Sequence, residues 1–341
     1  MENKSSSEHA TIHDVARLAG VSYQTVSRVI NNMPNVSPQT YEKVRQAIQE
    51  LNYQPNRAAR SLVTGRSNTI HVLAFDLYHV GMLPAMENTA YVNGFQLRIT
   101  GLGGMLNKKD FAQRLGEIVS SQTDGIIFIL PLLNVLDEDL RKLTRGIPYV
   151  ILGSNLGYET NSVFIDQQHG TRLVVQHLLD LGHRRFAAIS GPVDTNCDAL
   201  IRYQTLLNIL HENGIELQDH EIGNFTMDTG YEAANRILAR TKDFTAMVCA
   251  NDEMAIGAIH AIRKFGLRIP KDVSVVGFDD RNYAKYCEPP LTTIRQDMDA
   301  LGVQGIQHLI SLIKDPHAAP HQRMLYPKLM IRDSSAPPPN R

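Results

Sequence analysis

The sequence predicts an α/β protein built from a small N-terminal helix-turn-helix head and two doubly wound parallel-sheet subdomains. Three observations predict it. Residues 11–54 hold three short helical stretches, each with a readable start. After Arg66 short apolar strands alternate with helices, the arrangement that gives a parallel sheet covered on both faces. The strands also fall into two sets, which implies two sheets with a cleft between them.

The head comes first. Thr11 precedes Ile12-His13-Asp14, so its hydroxyl can cap a helix while Asp14 returns the bond. Gly20 ends that helix, because glycine accepts the left-handed conformation of a C-cap. Ser22 caps the second helix, and Ser37-Pro38 opens the third with proline in its first turn. Two helices joined by a tight glycine-containing turn make a helix-turn-helix.

On the second helix Val26, Val29 and Ile30 share one face and can pack on Val15, Ala16 and Ala19. Tyr23, Gln24, Ser27 and Arg28 share the other, paired at i, i+4. A recognition helix sets its N-terminal residues against base edges in the major groove. Gln24 suits adenine, Arg28 suits guanine or phosphate, and the Tyr23 ring suits a thymine methyl.

Next comes PNRAARSLVTGR (55–66). Asn56 can cap a short alanine-rich helix that Gly65 would end. Such a helix is too short to hold alone in water, so it folds only when contacts are supplied. In the core, strands are expected at 69–75, 95–100, 124–130, 148–152 and 162–166. A second set is expected at 184–190, 245–250, 272–278 and 292–296. Residues 171–182 and 252–266 are helical stretches between them.

Ligands of such folds bind outside the carboxyl ends of the strands. That rule selects Phe75 and Asp76, Asn251-Asp252, Asp279-Asp280 and Gln296. Carboxylate and amide groups bond vicinal hydroxyls, and Phe225 offers a face for a sugar ring.

Composition excludes several classes. The net charge is -1, but residues 1–66 carry 8 Lys and Arg against 5 Asp and Glu, and the rest carries 26 against 30. A basic head on an acidic body fits DNA reading by the head. Three cysteines without C-x-x-C spacing imply neither a disulfide framework nor a zinc site, and fit a reducing, cytoplasmic setting. No signal peptide and no long apolar span are present, so no membrane role is expected. His177 and His183 lack zinc-ligand spacing, Gly101–Gly104 is not a dinucleotide fingerprint, and no hydrolase motif occurs. No cofactor, metal or enzymatic activity is expected. Of the pair Asp279-Asp280, one carboxylate is expected to face the ligand and the other to bind backbone.

DVARLAGVSYQTVSRVIN (14–31) followed by LNYQPNRAARSL (51–62) resembles the headpiece and hinge of the lactose-repressor (LacI/GalR) family. The resemblance continues through HGTRLVVQHLLDLGH (169–183), VCANDEMAIGAIHAIRKFGLRIP (248–270), DVSVVGFDD (272–280) and PPLTTIRQD (289–297), so it covers nearly the whole chain. It implies a core of periplasmic-binding-protein type whose chain crosses between subdomains near 166, 296 and 324. The parts would be a disordered 1–10, a headpiece at 11–54, a hinge at 55–66 and a core at 67–333. The core would split into 67–166 with 297–324, and 167–296 with 325–333, before a disordered 334–341.

The resemblance also implies DNA contacts at Thr11, Ser22, Tyr23, Gln24, Ser27, Arg28, Asn31, Asn56, Arg57, Ala59 and Leu62. Leu62 would be the wedge that enters the minor groove over a central CpG step. It implies effector contacts at Phe75, Asp76, Arg202, Phe225, Asn251, Asp279 and Gln296. Gly153 and Ile129 depart from the family's name-giving member, which has an aspartate and an asparagine there. The implied function is a transcriptional regulator, a repressor that a small sugar-like effector releases from a near-palindromic DNA site. It would act as a homodimer, because the proline-rich end forbids a tetramerising helix. A purine-like co-repressor is the alternative. A transport protein or sugar-processing enzyme would lack this head or need a nucleophile–base pair.

Overall fold

The structure is a computed structural model of the 341-residue chain. It describes residues 10–30, 33–54, 66–75, 80–103, 108–130, 137–153 and 160–339. Asn31, Asn56, Arg57, Ala59, Leu62 and Asp76 lie outside the described residues, as does nearly all of the expected hinge. Two compact units are present, Met1–Ser67 and Asn68–Arg341.

In the first unit α1 (Ile12–Ala19), α2 (Tyr23–Ile30) and α3 (Pro38–Glu50) begin where the capping residues place them. Thr11 and Asp14 form a reciprocal capping box, with Thr11 N–H donating to Asp14 Oδ2 at 2.9 Å. Gly20 takes φ 64° at the end of α1. Ser22 Oγ accepts Thr25 N–H at 3.2 Å, and Ser37 Oγ accepts Thr40 N–H at 3.2 Å. Val15, Ala16, Val26, Val29, Val44 and Ala47 form the buried core.

The second unit begins with β1 (Thr69–Ala74), α4 (Leu83–Val92), β2 (Gln96–Gly101), α5 (Lys108–Ser120), β3 (Gly125–Ile129), α6 (Asp137–Thr144), β4 (Tyr149–Gly153) and β5 (Ser162–Ile165). It continues with α7 (Gln167–Asp180), β6 (Phe186–Ser190), α8 (Cys197–Glu212), β7 (Leu217–Ile222), α9 (Met227–Arg240), β8 (Ala246–Cys249), α10 (Asp252–Lys264) and β9 (Ser274–Val276). The last elements are β10 (Thr293–Arg295), α11 (Met298–Lys314), β11 (Gln322–Leu325) and β12 (Lys328–Met330).

One sheet runs β11-β5-β4-β3-β1-β2 and another β7-β6-β8-β9, and every pairing in both is parallel. The two sheets with their helices are the two subdomains. Strands β1 and β3 are buried at every position, as they must be with helices on both faces. Ile70, Val72 and Ile127 face α4 and α11, while Leu73, Ile126 and Phe128 face α5 and α6. In the second sheet Ala187, Met247 and Val275 face α9 and α10, and Phe186, Ala246 and Val276 face α7 and α8.

Three crossings join the sheets. They lie at Asp166, at Gln296-Asp297 and at Tyr326-Pro327. The third falls later than residue 324, because Leu325 still pairs with Ile165. Strand β10 pairs antiparallel with β12 and touches the second sheet through single bridges, Val276 to Thr292 and Asp279 to Arg295. Strands β7, β11 and β12 were not expected. LQDHEI reads as polar because β7 is an edge strand, whose side chains are partly in water.

The expectation of a disordered 334–341 fails for 334–339. Ser334 is fully buried, its Oγ donates to Val275 O at 2.6 Å, and it accepts Thr292 N–H at 2.8 Å. Ala336 O accepts from His183 Nε2 at 2.9 Å. Since a carbonyl only accepts, Nε2 carries the proton and Nδ1 accepts from Thr245 Oγ1 at 2.9 Å. Burial holds the His183 imidazole neutral by lowering its pKa. Proline content suggested disorder, whereas short hydroxyl side chains tie the segment to the sheet. Among the described residues no helix is long and apolar enough to cross a membrane, and no cluster of three His, Cys, Asp or Glu could hold a metal.

Candidate functional site

Two surfaces carry the candidate residues. On the head, Tyr23 is 51% exposed, Gln24 and Arg28 are exposed, and Ser27 is half-buried. The hydrophobic side of α2 is spent on Val26 and Val29, so this polar side is the one left to face outward. His13 supports it from α1, its ring 5.6 Å from that of Tyr23. His13 was not singled out from the sequence, because its facing Tyr23 depends on the angle between two helices. Thr11 and Ser22 are caps, their hydroxyls bonded to Asp14 Oδ2 at 2.6 Å and to Thr25 Oγ1 at 2.9 Å.

The second surface is a cleft at the carboxyl ends of the core strands, about 720 Å³ including the part open to solvent. Phe75, Arg202, Phe225, Asp279 and Gln296 line it together, although they come from separate elements. From the first subdomain and α11 come Phe75, Met82, Ile129, Leu152, Gly153 and Met298, an apolar wall among the described residues. From the second come Arg202, Asp279 and Asp198, with Gln167 and Gln296 at the crossings.

The polar wall is bonded to itself. Arg202 is 8% exposed and its guanidinium carbon lies over the Phe278 ring, 3.8 Å from the centroid. Its Nε donates to Gln167 Oε1 at 2.9 Å and its Nη1 to Ala250 O at 2.5 Å. Gln167 Nε2 donates to Gln296 Oε1 at 2.9 Å, and Gln296 Nε2 to Asp279 Oδ1 at 2.6 Å. Arg202 Nη1 stands 3.8 Å from Asp279 Oδ1 and closes the ring. Asp279 takes φ 116° and Phe225 φ 69°, a region costly for side-chain-bearing residues. Backbone strain of this kind collects at ligand sites. The Phe225 ring lies so close over Gly191 that a Cβ there could not fit.

Other candidates do different work. Asn251 does not line the cleft. Its Oδ1 caps α10 by accepting Met254 N–H at 3.0 Å, and its Nδ2 donates to Phe225 O at 3.0 Å, so it holds the Phe225 turn from behind. Asp252 is fully buried, accepting from Thr293 Oγ1 at 2.5 Å and Arg281 N–H at 2.7 Å. Burial and the nearby Asp279 carboxylate push its pKa well up. Asp280 was expected to bind backbone, but it pairs with Arg295 Nε at 2.6 Å and Arg332 Nη2 at 2.5 Å. Gln167, Asn196 and Asp198 were missed. Gln167 follows the end of β5 by two residues, the same positional signal that selected Gln296.

The head matches the model of bacterial regulatory proteins of the lacI family over residues 11–56, and residues 175–335 match a periplasmic binding protein-like domain. The transcriptional regulator CelR of Thermobifida fusca is 36% identical over 344 residues, covering 95% of this chain and 98% of that one. The chain belongs to the lacI family. The transcriptional repressor PurR of Vibrio vulnificus (strain CMCP6) is 35% identical over 336 residues, with 95% and 98% covered. Among solved structures, the lac repressor dimer bound to operator and the anti-inducer ONPF superimposes with a TM-score of 0.89 at 32% identity, covering 96% of this chain and 100% of that one. A CelR–cellobiose complex gives a TM-score of 0.70 at 33% identity, covering 95% and 99%. These relatives are transcriptional regulators, not enzymes. As a lacI-family member the chain is a helix-turn-helix transcriptional repressor with an effector-binding core.

Proposed function

We propose that the chain is a cytoplasmic homodimer that represses transcription from a near-palindromic DNA site and is released by an uncharged sugar or sugar-like effector held in the core cleft. The observation that carries the ligand reading is the wall of Arg202, Gln296 and Asp279, with Gln167 bonded between Arg202 and Gln296, facing Phe225 and an apolar wall. Guanidinium, amide and carboxylate groups bond vicinal hydroxyls, and an aromatic face takes the C–H face of a pyranose. Among the described lining residues the one cation, Arg202, is set against two carboxylates, Asp198 and Asp279. That balance favours an uncharged ligand over a phosphate or a sugar acid. Ile129 and Gly153 offer no side-chain hydrogen bond, so the ligand's hydroxyls face the second subdomain. The cellobiose in the CelR complex supports a sugar. The PurR relatives support the second reading, a purine-like co-repressor packed between the same aromatics.

On the head, Tyr23, Gln24, Ser27 and Arg28 read bases, with Thr11 and Ser22 presenting helix N-termini to phosphate. Asn31, Asn56, Arg57, Ala59 and Leu62 are proposed to complete the contact, with the paired Leu62 side chains over a central CpG step. Site selection from random DNA tests the first half: a single asymmetric half-site bound by a monomer refutes it. Gln24→Ala should lose about 1–3 kcal/mol and relax base choice at one position. Operator affinity with cellobiose, other neutral sugars and purine bases tests the second half. Weaker binding with a sugar supports induction, and tighter binding with a purine reverses the sign.

A further inference from the structure

The polar wall of the cleft is also where the chain crosses between its sheets, at Asp166, at Gln296-Asp297 and at Tyr326-Pro327. The crossings are tied to each other. Asp166 N–H donates to Leu325 O at 2.9 Å. The His169 ring stands edge-on to Tyr326, with centroids 5.5 Å apart. Gln167 Nε2 donates to Gln296 Oε1 at 2.9 Å. Any change of angle between the subdomains must be absorbed in these few residues.

Of these ties, the Gln167–Gln296 bond is the one that also reaches the cleft. Its sense is fixed by chemistry. Arginine only donates, so Gln167 faces Arg202 with Oε1 and has only N–H left for Gln296. Gln296 therefore takes that bond on Oε1 and turns its own NH₂ to the Asp279 carboxylate. Reversing either amide would set oxygen against oxygen. Gln167 is 4% exposed, so water does not readily replace a lost partner. A ligand hydroxyl that takes up Arg202 or Asp279 thus acts on both amides.

We propose that Gln167 is the positioning residue through which occupancy of the cleft reaches the subdomain crossings, so that it sets the size of the operator response. The inference rests on the reading of the cleft as the effector site. A ligand has an effect on the crossings only if it binds their two arrangements differently. The Arg202–Gln167–Gln296–Asp279 ring supplies that difference wherever a change of crossing angle parts Gln167 from Gln296, because the ring then opens.

The test uses the full-length protein with Gln167→Leu and Gln167→Glu. Leucine removes both bonds at similar volume. Glutamate keeps the acceptor for Arg202 but has no N–H for Gln296, so the sense of the ring breaks. In ligand-free protein, hydrogen exchange at the backbone amides of 296–301 and 324–328 should rise about tenfold in both variants, while α9 stays as in the wild type. In the second arm cellobiose is the first probe, followed by a panel of neutral sugars, each used where its thermal shift has reached a plateau. The ratio of operator affinities without and with sugar should fall from the wild type's value, typically about 5–150-fold, to under about twofold. A ratio retained in either variant overturns the proposal. So does unchanged exchange at the crossings. Loss of the thermal shift itself also overturns it, since Gln167 would then simply hold the ligand. If no sugar moves the wild type, the effector reading fails, and the exchange arm still decides on the tie.

Discussion

Replacing Arg202 by methionine separates what this side chain does for the fold from what it does for the response. Methionine keeps the length and the contact with the Phe278 ring, so little cavity opens. It removes the two bonds donated to Gln167 Oε1 and Ala250 O and the 3.8 Å pairing with Asp279. Each buried acceptor left without a donor costs about 1–3 kcal/mol, and breaking a buried ion pair costs about 3–5 kcal/mol. Asp279 keeps its bond from Gln296 and has Arg281 Nε at 3.9 Å, and the cleft admits some water. The net loss is therefore set near the lower end, about 3 kcal/mol. For a unit of 68–341 that lowers the melting temperature by about 5 °C. Circular dichroism melts of wild type and variant at one concentration measure it. Operator affinity at a temperature well below both transitions measures the response, which should be lost at ligand concentrations that release the wild type. A melting temperature within about 1 °C of the wild type would show that the ring carries no stability. An undiminished response at the same ligand concentration would show that the effector sits elsewhere.

Three further outcomes are expected. Gly257→Ala should destabilise the core by more than about 2 kcal/mol in urea melts despite alanine's better helix propensity, because its Cβ would collide with Met227 O and the Tyr231 backbone nitrogen. Gly116→Ala, whose Cβ meets nothing within 4 Å, should stabilise by about 0.5–1 kcal/mol in the same assay. Burial lowers the pKa of His71 and of His308 from 6.5 to about 4. Both imidazoles are neutral in the folded core, so their contribution is complete above pH 6.5 and is lost as pH falls toward 4. The loss reaches up to about 3 kcal/mol each, and His71→Leu should flatten the melting-temperature profile across that window. Thr11→Ala removes the side-chain cap of α1 and the hydroxyl bond to Asp14, leaving the backbone bond, and should weaken the head by about 0.5–2 kcal/mol, read as loss of helical signal in the isolated residues 1–54.

The sequence by itself determined whatever depends on near neighbours. Capping is decided within three residues, so Thr11, Ser22 and Ser37 mark the helix starts of the head. Strands buried on both faces are mostly apolar, so β3 is legible as an unbroken run and β1 as a run broken only by His71 after Thr69. The polar face of α2 follows from its period. Strand ends locate a cleft, which is why Phe75, Asp279 and Gln296 meet where the topology places them, whereas Arg202, inside α8, came from the family resemblance. Tertiary structure decided the rest, because it depends on partners distant along the chain. Asn251 and Gln296 both follow strands, yet one caps a helix behind the cleft and the other lines it. Asp279 and Asp280 are adjacent, and only the positions of Arg295 and Arg332 send Asp280 away from the cleft. Polar edge strands such as β7 carry no apolar signature, since one side meets water. Ser334 reads as part of a disordered tail until the backbone of Thr292 and Val275 stands beside it. Gln167 gains its place from Arg202 and Gln296, 35 and 129 residues away, and no local pattern encodes a bond across that separation.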